Sequence, residues 1–331
     1  MYTRGIRVSL SEAEKARREL IRTGAIDSRL LLLKDEKCVI IPVTDFPPRR
    51  EGWEQCFAAF REKRQLKGGY RELFGPGAWT DSLPASFDVL GTKALIRLQP
   101  ELSERQHEIG DAILKANRSL DSVFRDDGVH GEYRIRKLTL IAGSGGTETS
   151  VSEYGLKFRL DVAKTFYSPR LAVERKRVAS AIAPGERILD MFAGVGPFSI
   201  SAARADVNGT VTAFDINPYA LSYLKENAAL NRIANIECHL RDSMTVEPDM
   251  LFDRIIMNLP QDGERFIGKA LSMLRKEGFI HYYERAENAG IAERASSLEH
   301  SIDRLRVVDV RKVKSYSPAE GIYHLLLTKM S

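Results

Sequence analysis

The chain is poor in cysteine: Cys38, Cys56 and Cys238 are its three, far apart and without CxxC spacing. That pattern excludes a disulfide framework and a cysteine-built zinc site. Its six histidines are scattered, with no His–Cys or His–acid cluster at ligand spacing, so no bound metal is expected. Cys238 and His239 are neighbours. On a strand they point to opposite faces, which reads as one packing and one surface residue. No apolar run reaches the ~18 residues of a membrane span. The N-terminus lacks an apolar signal core, and a cytoplasmic location is expected. Internal repeats and low-complexity segments are absent as well. Charge is nearly balanced, 50 Lys and Arg against 45 Asp and Glu, a formal net of +5. This excess is compatible with a polyanionic partner without requiring one. What the chain has is length: 331 residues, 43% of them hydrophobic, suffice for two or three domains.

Local patterns divide it into parts. Ser11-Glu-Ala-Glu14 reads as a capping box opening a helix through Leu20 and Ile21, stopped at Gly24. Arg29–Leu33 and Cys38–Val43 read as strands, giving a small α/β module over 1–62. Phe46–Trp79 has little periodicity, with some helix expected around 53–64. It carries Arg49, Arg50, Arg61, Lys63, Arg64, Lys67 and Arg71, either a solvated face or an RNA contact. Residues 63–85 are expected to be a linker. A middle α+β domain follows over 86–165: a hairpin in Phe87–Leu98, a helix in Leu102–Leu120, and strands at 122–125, 133–141 and 157–162. From about Arg175 strands and helices alternate, the pattern of a parallel sheet, so 166–331 is expected to be an α/β domain. Its last strands, Val307–Val313 and Tyr323–Thr328, are expected to pair as a hairpin at one sheet edge.

The most informative stretch is Ile188-Leu-Asp-Met-Phe-Ala-Gly-Val-Gly-Pro-Phe-Ser199, an apolar strand, a glycine turn and a helix start. Such a turn brings backbone N–H groups to a ligand at a helix N-terminus. Asp215 and Asp242 end the next two strands, and Asn258-Leu259-Pro260 closes a fourth. Polar residues at successive strand ends outline one crevice, where open α/β sheets bind ligands. A dinucleotide needs a third small residue, but Gly194 to Ser199 gives GxGxxS, and Pro197 removes an N–H that a phosphate would want. Asp190 would repel a pyrophosphate and suits the ammonium of a methionine moiety. The crevice therefore reads as an S-adenosylmethionine site. Asp215 follows the glycines by about twenty residues, where a carboxylate accepts ribose hydroxyls; the alternative is a helix cap before Pro218. Asp242 either accepts from the adenine amino group or caps a loop.

Asn258, held by the proline two residues on, offers a donor and an acceptor to a planar heterocycle, or is a plain strand-to-turn residue. Arg170 and Glu174 share a helical face at i, i+4, with Arg175 beside them. They form either an exposed salt bridge or a base that deprotonates a ring nitrogen, with an arginine to stabilise charge on the neighbouring carbonyl oxygen.

Together these motifs resemble the archaeal and eukaryal tRNA (guanine-N1-)-methyltransferases, class I enzymes that use S-adenosylmethionine to methylate guanosine 37 beside the anticodon. The resemblance covers nearly the whole chain. It is most specific at Gly131-Glu-Tyr-Arg-Ile-Arg136, Ser168-Pro-Arg-Leu-Ala-Val-Glu-Arg175, Asp190–Phe198, Asp215-Ile-Asn217, Asn258-Leu-Pro260, His281-Tyr-Tyr283 and Lys314-Ser-Tyr-Ser-Pro318. It implies a Rossmann-like catalytic domain preceded by two smaller α+β domains, the first touching the outer corner of tRNA. It implies Glu174 as general base, Arg134 as the arginine on the guanine oxygen, and Asn258 and Pro260 as residues holding the base. Asp190, Phe192, Gly194, Gly196, Asp215, Ile216, Asp242, Asn258 and Pro260 match cofactor-contacting positions, and Arg170 and Arg175 match arginines near the substrate. A monomer without metal, bound to the anticodon loop and outer corner of tRNA, is expected.

The chain departs from the family at Gly143-Ser-Gly-Gly-Thr147, at Ser152-Glu-Tyr-Gly155, and at Phe166, where tyrosine is usual. A related family, which moves the aminocarboxypropyl group during wybutosine synthesis, lacks Asn-Leu-Pro at the fourth strand and tends to carry an aromatic at Pro197. Methylation of carbon 7 of a wyosine precursor is a third possible activity, and non-catalytic binding of tRNA a fourth role.

Overall fold

Ile188 and Leu189 point to opposite faces of one strand, yet both are buried, so this strand lies inside a sheet covered on two sides. In the computed structural model, which describes residues 2–23, 25–27, 30, 32–35, 37–60, 69–75, 77, 79–246, 250–317 and 319–330, the chain forms two compact units, Met1–Gly75 and Pro76–Ser331. Gly24, Arg29, Leu31, Arg61, Lys63, Arg64, Lys67 and Pro318, each part of a sequence pattern above, lie outside the described residues.

The first unit runs β1 (Tyr2–Ser9), α1 (Ala13–Arg22), β2 (Leu33–Lys34), β3 (Cys38–Pro42) and β4 (Glu54–Ala59). Its antiparallel sheet has the order β2-β3-β1-β4. Ala16 and Leu20 of α1 pack on Ile6, Val8, Ile41 and Val43. Where a helix is expected around 53–64, the chain forms a strand over Glu54–Ala59, paired with β1 from Tyr2↔Ala59 to Arg7↔Glu54. The open edge of β1 supplies backbone partners that local propensity does not anticipate.

The second unit begins with β5 (Asp88–Leu90), β6 (Lys93–Ile96), α2 (Gln106–Ala116), β7 (Ser122–His130) and β8 (Ile135–Gly143), a sheet in that strand order. β6 and β7 are parallel, with α2 as the crossover between them. A hairpin follows, β9 (Glu148–Glu153) and β10 (Leu156–Asp161); β9, rich in Ser and Thr, carries no apolar alternation and is not expected from sequence. Leu90, Leu95 and Phe124 of the first sheet share one core with Leu156, Phe158, Leu160, Val195, Ile200 and Ala228. The middle and C-terminal parts are therefore joined through a common interior.

The remainder is α3 (Ala172–Ala179), β11 (Arg187–Asp190), α4 (Pro197–Ala205), β12 (Thr210–Asp215), α5 (Pro218–Leu230), β13 (Ile236–Leu240), β14 (Phe252–Met257), α6 (Ile267–Met273), β15 (Leu274–Glu287), α7 (Ile291–Ser301), β16 (Leu305–Ser315) and β17 (Glu320–Lys329). The sheet order is β13-β12-β11-β14-β15-β17-β16. Its first five strands are parallel; β17 runs antiparallel to β15, and β16 pairs with β17 as the expected edge hairpin. The chain order reverses between β11 and β14, and the crevice of such a fold opens at the strand ends there. This is the Rossmann-like domain, preceded by two smaller α+β parts. Among the described residues no helix is long and apolar enough to cross a membrane, and no three His, Cys, Asp or Glu side chains gather as metal ligands.

Candidate active site

The turn after β11 is shaped by two glycines. Gly194 has φ 56° and Gly196 φ 90°, and a Cβ on Gly196 would stand 2.3 Å from Leu224 Cδ1. Only glycine fits there, on both backbone and steric grounds. Pro197 opens α4, where its missing N–H is not needed by the helix.

Two carboxylates flank this turn. Asp190 is 1% exposed; its Oδ2 accepts from Ser199 Oγ at 2.6 Å and its Oδ1 from the Phe192 N–H at 3.3 Å. Burial, with the charge of Asp215 added, outweighs those bonds and pushes Asp190 up to about 7. Asp215 accepts from the Gly194 N–H at 2.6 Å and the Asn217 N–H at 2.8 Å, and burial raises its pKa too. Asp215 is not the helix cap. Asn217 is, accepting from Tyr219 and Ala220 N–H at 3.0 and 3.4 Å. Phe192 is half-buried with its ring edge-on to Phe266, and half-buried Ile216 follows Asp215. Asp242 is exposed in the loop after β13 and caps it through Met244 N–H at 2.9 Å, while Ser243 Oγ donates to Met191 O at 2.6 Å and ties that loop to the glycine turn. Two carboxylates and a proline at one turn disfavour a pyrophosphate. They fit a ligand with an ammonium and ribose hydroxyls, so the residues present fit S-adenosylmethionine.

Across the switch point, Asn258-Leu259-Pro260 follows β14. Pro260 O accepts from Arg285 N–H at 2.8 Å, pinning this turn to β15. The Asn258 side chain is half-buried and makes no hydrogen bond among the described residues, so its amide is open to a ligand. Arg134, in the turn between β7 and β8, reaches the same place. Its guanidinium donates to Gln261 Oε1 at 2.6 Å and Asp262 Oδ2 at 3.2 Å. A middle-sheet cation is thus tied to Gln261 and Asp262, the two residues that follow Asn258-Leu259-Pro260 in the chain.

Glu174 lies in the first turn of α3, 6% exposed. The expected i, i+4 pair with Arg170 is not made: Arg170 instead holds Asp88 in the middle sheet, at 3.0 and 2.8 Å. Glu174 pairs with Arg177, at 2.9 and 2.5 Å, and accepts from the Tyr283 hydroxyl at 2.8 Å. Burial pushes the Glu174 carboxyl up, but those donors and the Arg177 charge outweigh it and hold it below its ordinary range. The last β14–β15 pair is Met257↔Tyr282, so Asn258 and Tyr283 are the next residues of the two strands, and Tyr283 ties Glu174 to β15.

Arg175 differs from its expected place near the substrate. It is 2% exposed and its donors are taken by Glu153, at 2.7 and 2.6 Å, and Ser168 O. A guanidinium sealed in this way braces α3 against β9. The partners of Glu153, Tyr167 and Tyr283 lie on other elements, so their pairing cannot be read from spacing; Tyr283 stands out only through the resemblance at His281-Tyr-Tyr283.

Comparison with known proteins fits this geometry. The family description "TRM5/TYW2 methyltransferase domain" matches residues 149–310, "TYW2 N-terminal domain" 76–147 and "tRNA methyltransferase 5 N-terminal domain" 5–51. Over 326 residues the chain is 38% identical to tRNA (guanine(37)-N(1))-methyltransferase Trm5b of Pyrococcus abyssi, covering 96% of each chain. The crystal structure of that Trm5b superposes with a TM-score of 0.72 at 36% identity, covering 99% of this chain and 100% of the other. A complex of aTrm5 and tRNALeu gives 0.70 at 30%, covering 99% of each. The tRNA(Phe) (4-demethylwyosine(37)-C(7)) aminocarboxypropyltransferase of Methanocaldococcus jannaschii is 34% identical over 244 residues, 70% of this chain and 93% of the other.

Proposed function

This chain belongs to the archaeal and eukaryal family of tRNA (guanine37-N1)-methyltransferases, and we propose that it transfers a methyl group from S-adenosylmethionine to N1 of guanosine 37. The observation that carries the reading is Arg134, held by Gln261 and Asp262, the two residues that follow Asn258-Leu259-Pro260. A cation there faces the charge that develops on a guanine oxygen once N1 loses its proton.

S-adenosylmethionine, when bound, supplies an electrophilic methyl on a sulfonium sulfur. Asp190 would hold its ammonium and Asp215 its ribose, with Phe192, Ile216 and Asp242 around the adenine. Glu174 takes the N1 proton, since a ring N–H is a poor nucleophile until deprotonated. Arg134 stabilises the charge that spreads to the guanine oxygen. Asn258 hydrogen-bonds the base edge, and Pro260 packs against it. Arg170, exposed, is placed for a phosphate. The base must leave its stack to reach the crevice, at a cost of a few kcal/mol.

Three functional parts follow: residues 1–62 for the outer corner of tRNA, 86–165 carrying Arg134, and 166–331 for catalysis, with 63–85 as linker. The two smaller parts grip phosphates, which set register rather than sequence. The match of 76–147 to a TYW2 domain raises the aminocarboxypropyl reaction as a second reading. Asn258-Leu-Pro260 and Pro197 favour methyl transfer. The deciding experiment supplies labelled methyl donor and tRNA transcripts bearing guanosine or adenosine at position 37, followed by nucleoside analysis. 1-Methylguanosine in the guanosine transcript alone is the expected result. No 1-methylguanosine there, with an aminocarboxypropyl mass added instead to tRNA carrying the wyosine precursor in a parallel reaction, would assign the other reaction.

A further inference from the structure

Tyr283 is fully buried, and a buried phenol must find an acceptor. Its acceptor is Glu174 Oε1, at 2.8 Å. The ring has little room to turn. Phe198, at the start of α4, lies 5.6 Å from it between centroids, and the His324 ring on β17 lies at 5.2 Å.

The histidine wall is itself fixed. Arg254 can only donate, so the His281 Nε2 at 2.7 Å must accept. His281 then carries its proton on Nδ1 and donates it to His324 Nε2 at 2.8 Å. That leaves the His324 proton on Nδ1, a buried atom with no partner among the described residues. Burial and nearby arginines keep both rings neutral. His324 therefore backs Tyr283 without offering a charge to Glu174.

Resting on the reading of Glu174 as general base, we propose that Tyr283 is a positioning residue for methyl transfer: its hydroxyl ties the Glu174 carboxylate to β15, the strand paired with the one that Asn258 follows. Arg177 alone cannot define that position, because it rides on the same helix as Glu174, whereas Tyr283 is anchored in the sheet that carries Asn258. The bond also sets the base's proton affinity. A donor to the charged form favours that form, so loss of the hydroxyl raises the Glu174 pKa. The groups facing Glu174 are Arg177 on α3, Tyr283 on β15 and His324 on β17. Asp309 and Arg311 on β16 act on this set through Arg177 and His324, and Arg175 acts on Tyr283.

The test is the pH dependence of single-turnover methyl transfer to a guanosine-37 transcript, with cofactor affinity measured by calorimetry as a check on folding. Tyr283→Phe keeps the ring and removes the hydroxyl. Its acid limb is expected to move up by about one pH unit, slowing the reaction about tenfold below the limb. Site-specific 3-fluorotyrosine at 283, a stronger donor of nearly the same size, should move the limb down. A limb unmoved in either variant that binds cofactor normally overturns the proposal. Glu174→Gln separates the two readings. Full turnover in that variant removes the base assignment, and the role of Tyr283 with it. A dead Glu174→Gln beside an unmoved Tyr283→Phe limb removes only the role of Tyr283.

Discussion

Arg134 and Asp262 stand 128 positions apart in the chain and meet at 3.2 Å, and the arginine makes that contact from a left-handed backbone, φ 52°. A residue with a Cβ holds that conformation at a cost of about 1 to 2 kcal/mol. Such a conformation persists where its surroundings over-determine it. Here a turn bond from Arg134 N–H to Gly131 O and the two guanidinium contacts do so together.

Arg134→Ala tests what that geometry is for. In the proposed mechanism the variant removes the donor to the developing oxyanion, and such a loss costs about a hundred- to a thousandfold in rate. Cofactor affinity should not change, since Arg134 touches none of the residues around the glycine turn. Single-turnover rates and calorimetry read the two quantities separately. A wild-type rate in this variant would remove Arg134 from the mechanism.

Gly196→Ala is expected to damage the turn itself. Its added Cβ would sit 2.3 Å from Leu224 Cδ1, in a backbone conformation of φ 90° that alanine disfavours. Overpacking of a buried site costs typically about 1 to 3 kcal/mol, with the backbone term on top. Thermal unfolding should show the loss, and cofactor binding should weaken with it. Gly268→Ala, where an added Cβ meets nothing within 4 Å, is the matched control.

Much of the site is readable in the sequence because its chemistry is local. Asp190, Gly194, Gly196 and Asp215 occupy strand ends and a tight turn, where backbone geometry restricts residue type. Asn258-Leu-Pro260 is likewise set by a strand end and a proline. The pairing of Arg175 with Glu153 is not legible, because Glu153 lies on another element and neither burial nor a long-range ion pair leaves a mark on spacing. The Arg170–Glu174 spacing misleads for the same reason: Asp88, from a different sheet, outcompetes the i, i+4 neighbour. In the first unit β4 forms by pairing with β1. Its own residues, Glu54-Gln-Cys-Phe-Ala-Ala59, have no strong preference of their own, so the partner strand decides.

The buried histidine pair predicts a stability profile. The native His324 pKa is lowered to about 4, below the ordinary 6.5, with burial as the first cause and Arg177 next. As pH falls below about 6.5 the unfolded chain takes up a proton that the native state refuses, so stability declines. The loss continues until pH reaches about 4 and then levels off as the native ring charges too. His324→Gln retains an acceptor for the His281 proton but does not titrate. Denaturant unfolding between pH 4 and 7 should therefore be flatter in this variant than in the wild type; equal slopes would assign the decline to other groups, with His281 the first to examine.

The contact proposed between Asp190 and the cofactor ammonium would tie binding to protons. In the free protein burial and the Asp215 charge push its pKa to about 7, so below neutrality the carboxyl is largely protonated. An ammonium needs the ionised form. Binding must then expel a proton below pH 7, and affinity should fall about tenfold for each pH unit lost. Above pH 7 the carboxylate is already ionised, and affinity should level off. A carboxylate of ordinary pKa would be ionised throughout this range and would show no dependence. Calorimetry of S-adenosylmethionine in buffers of different ionisation enthalpy, from pH 6 to 8, counts the protons released. Asp190→Asn should bind weakly and without pH dependence. A flat wild-type profile with no proton release would mean that Asp190 serves only Ser199 and the Phe192 N–H, and that the ammonium is held elsewhere in the crevice.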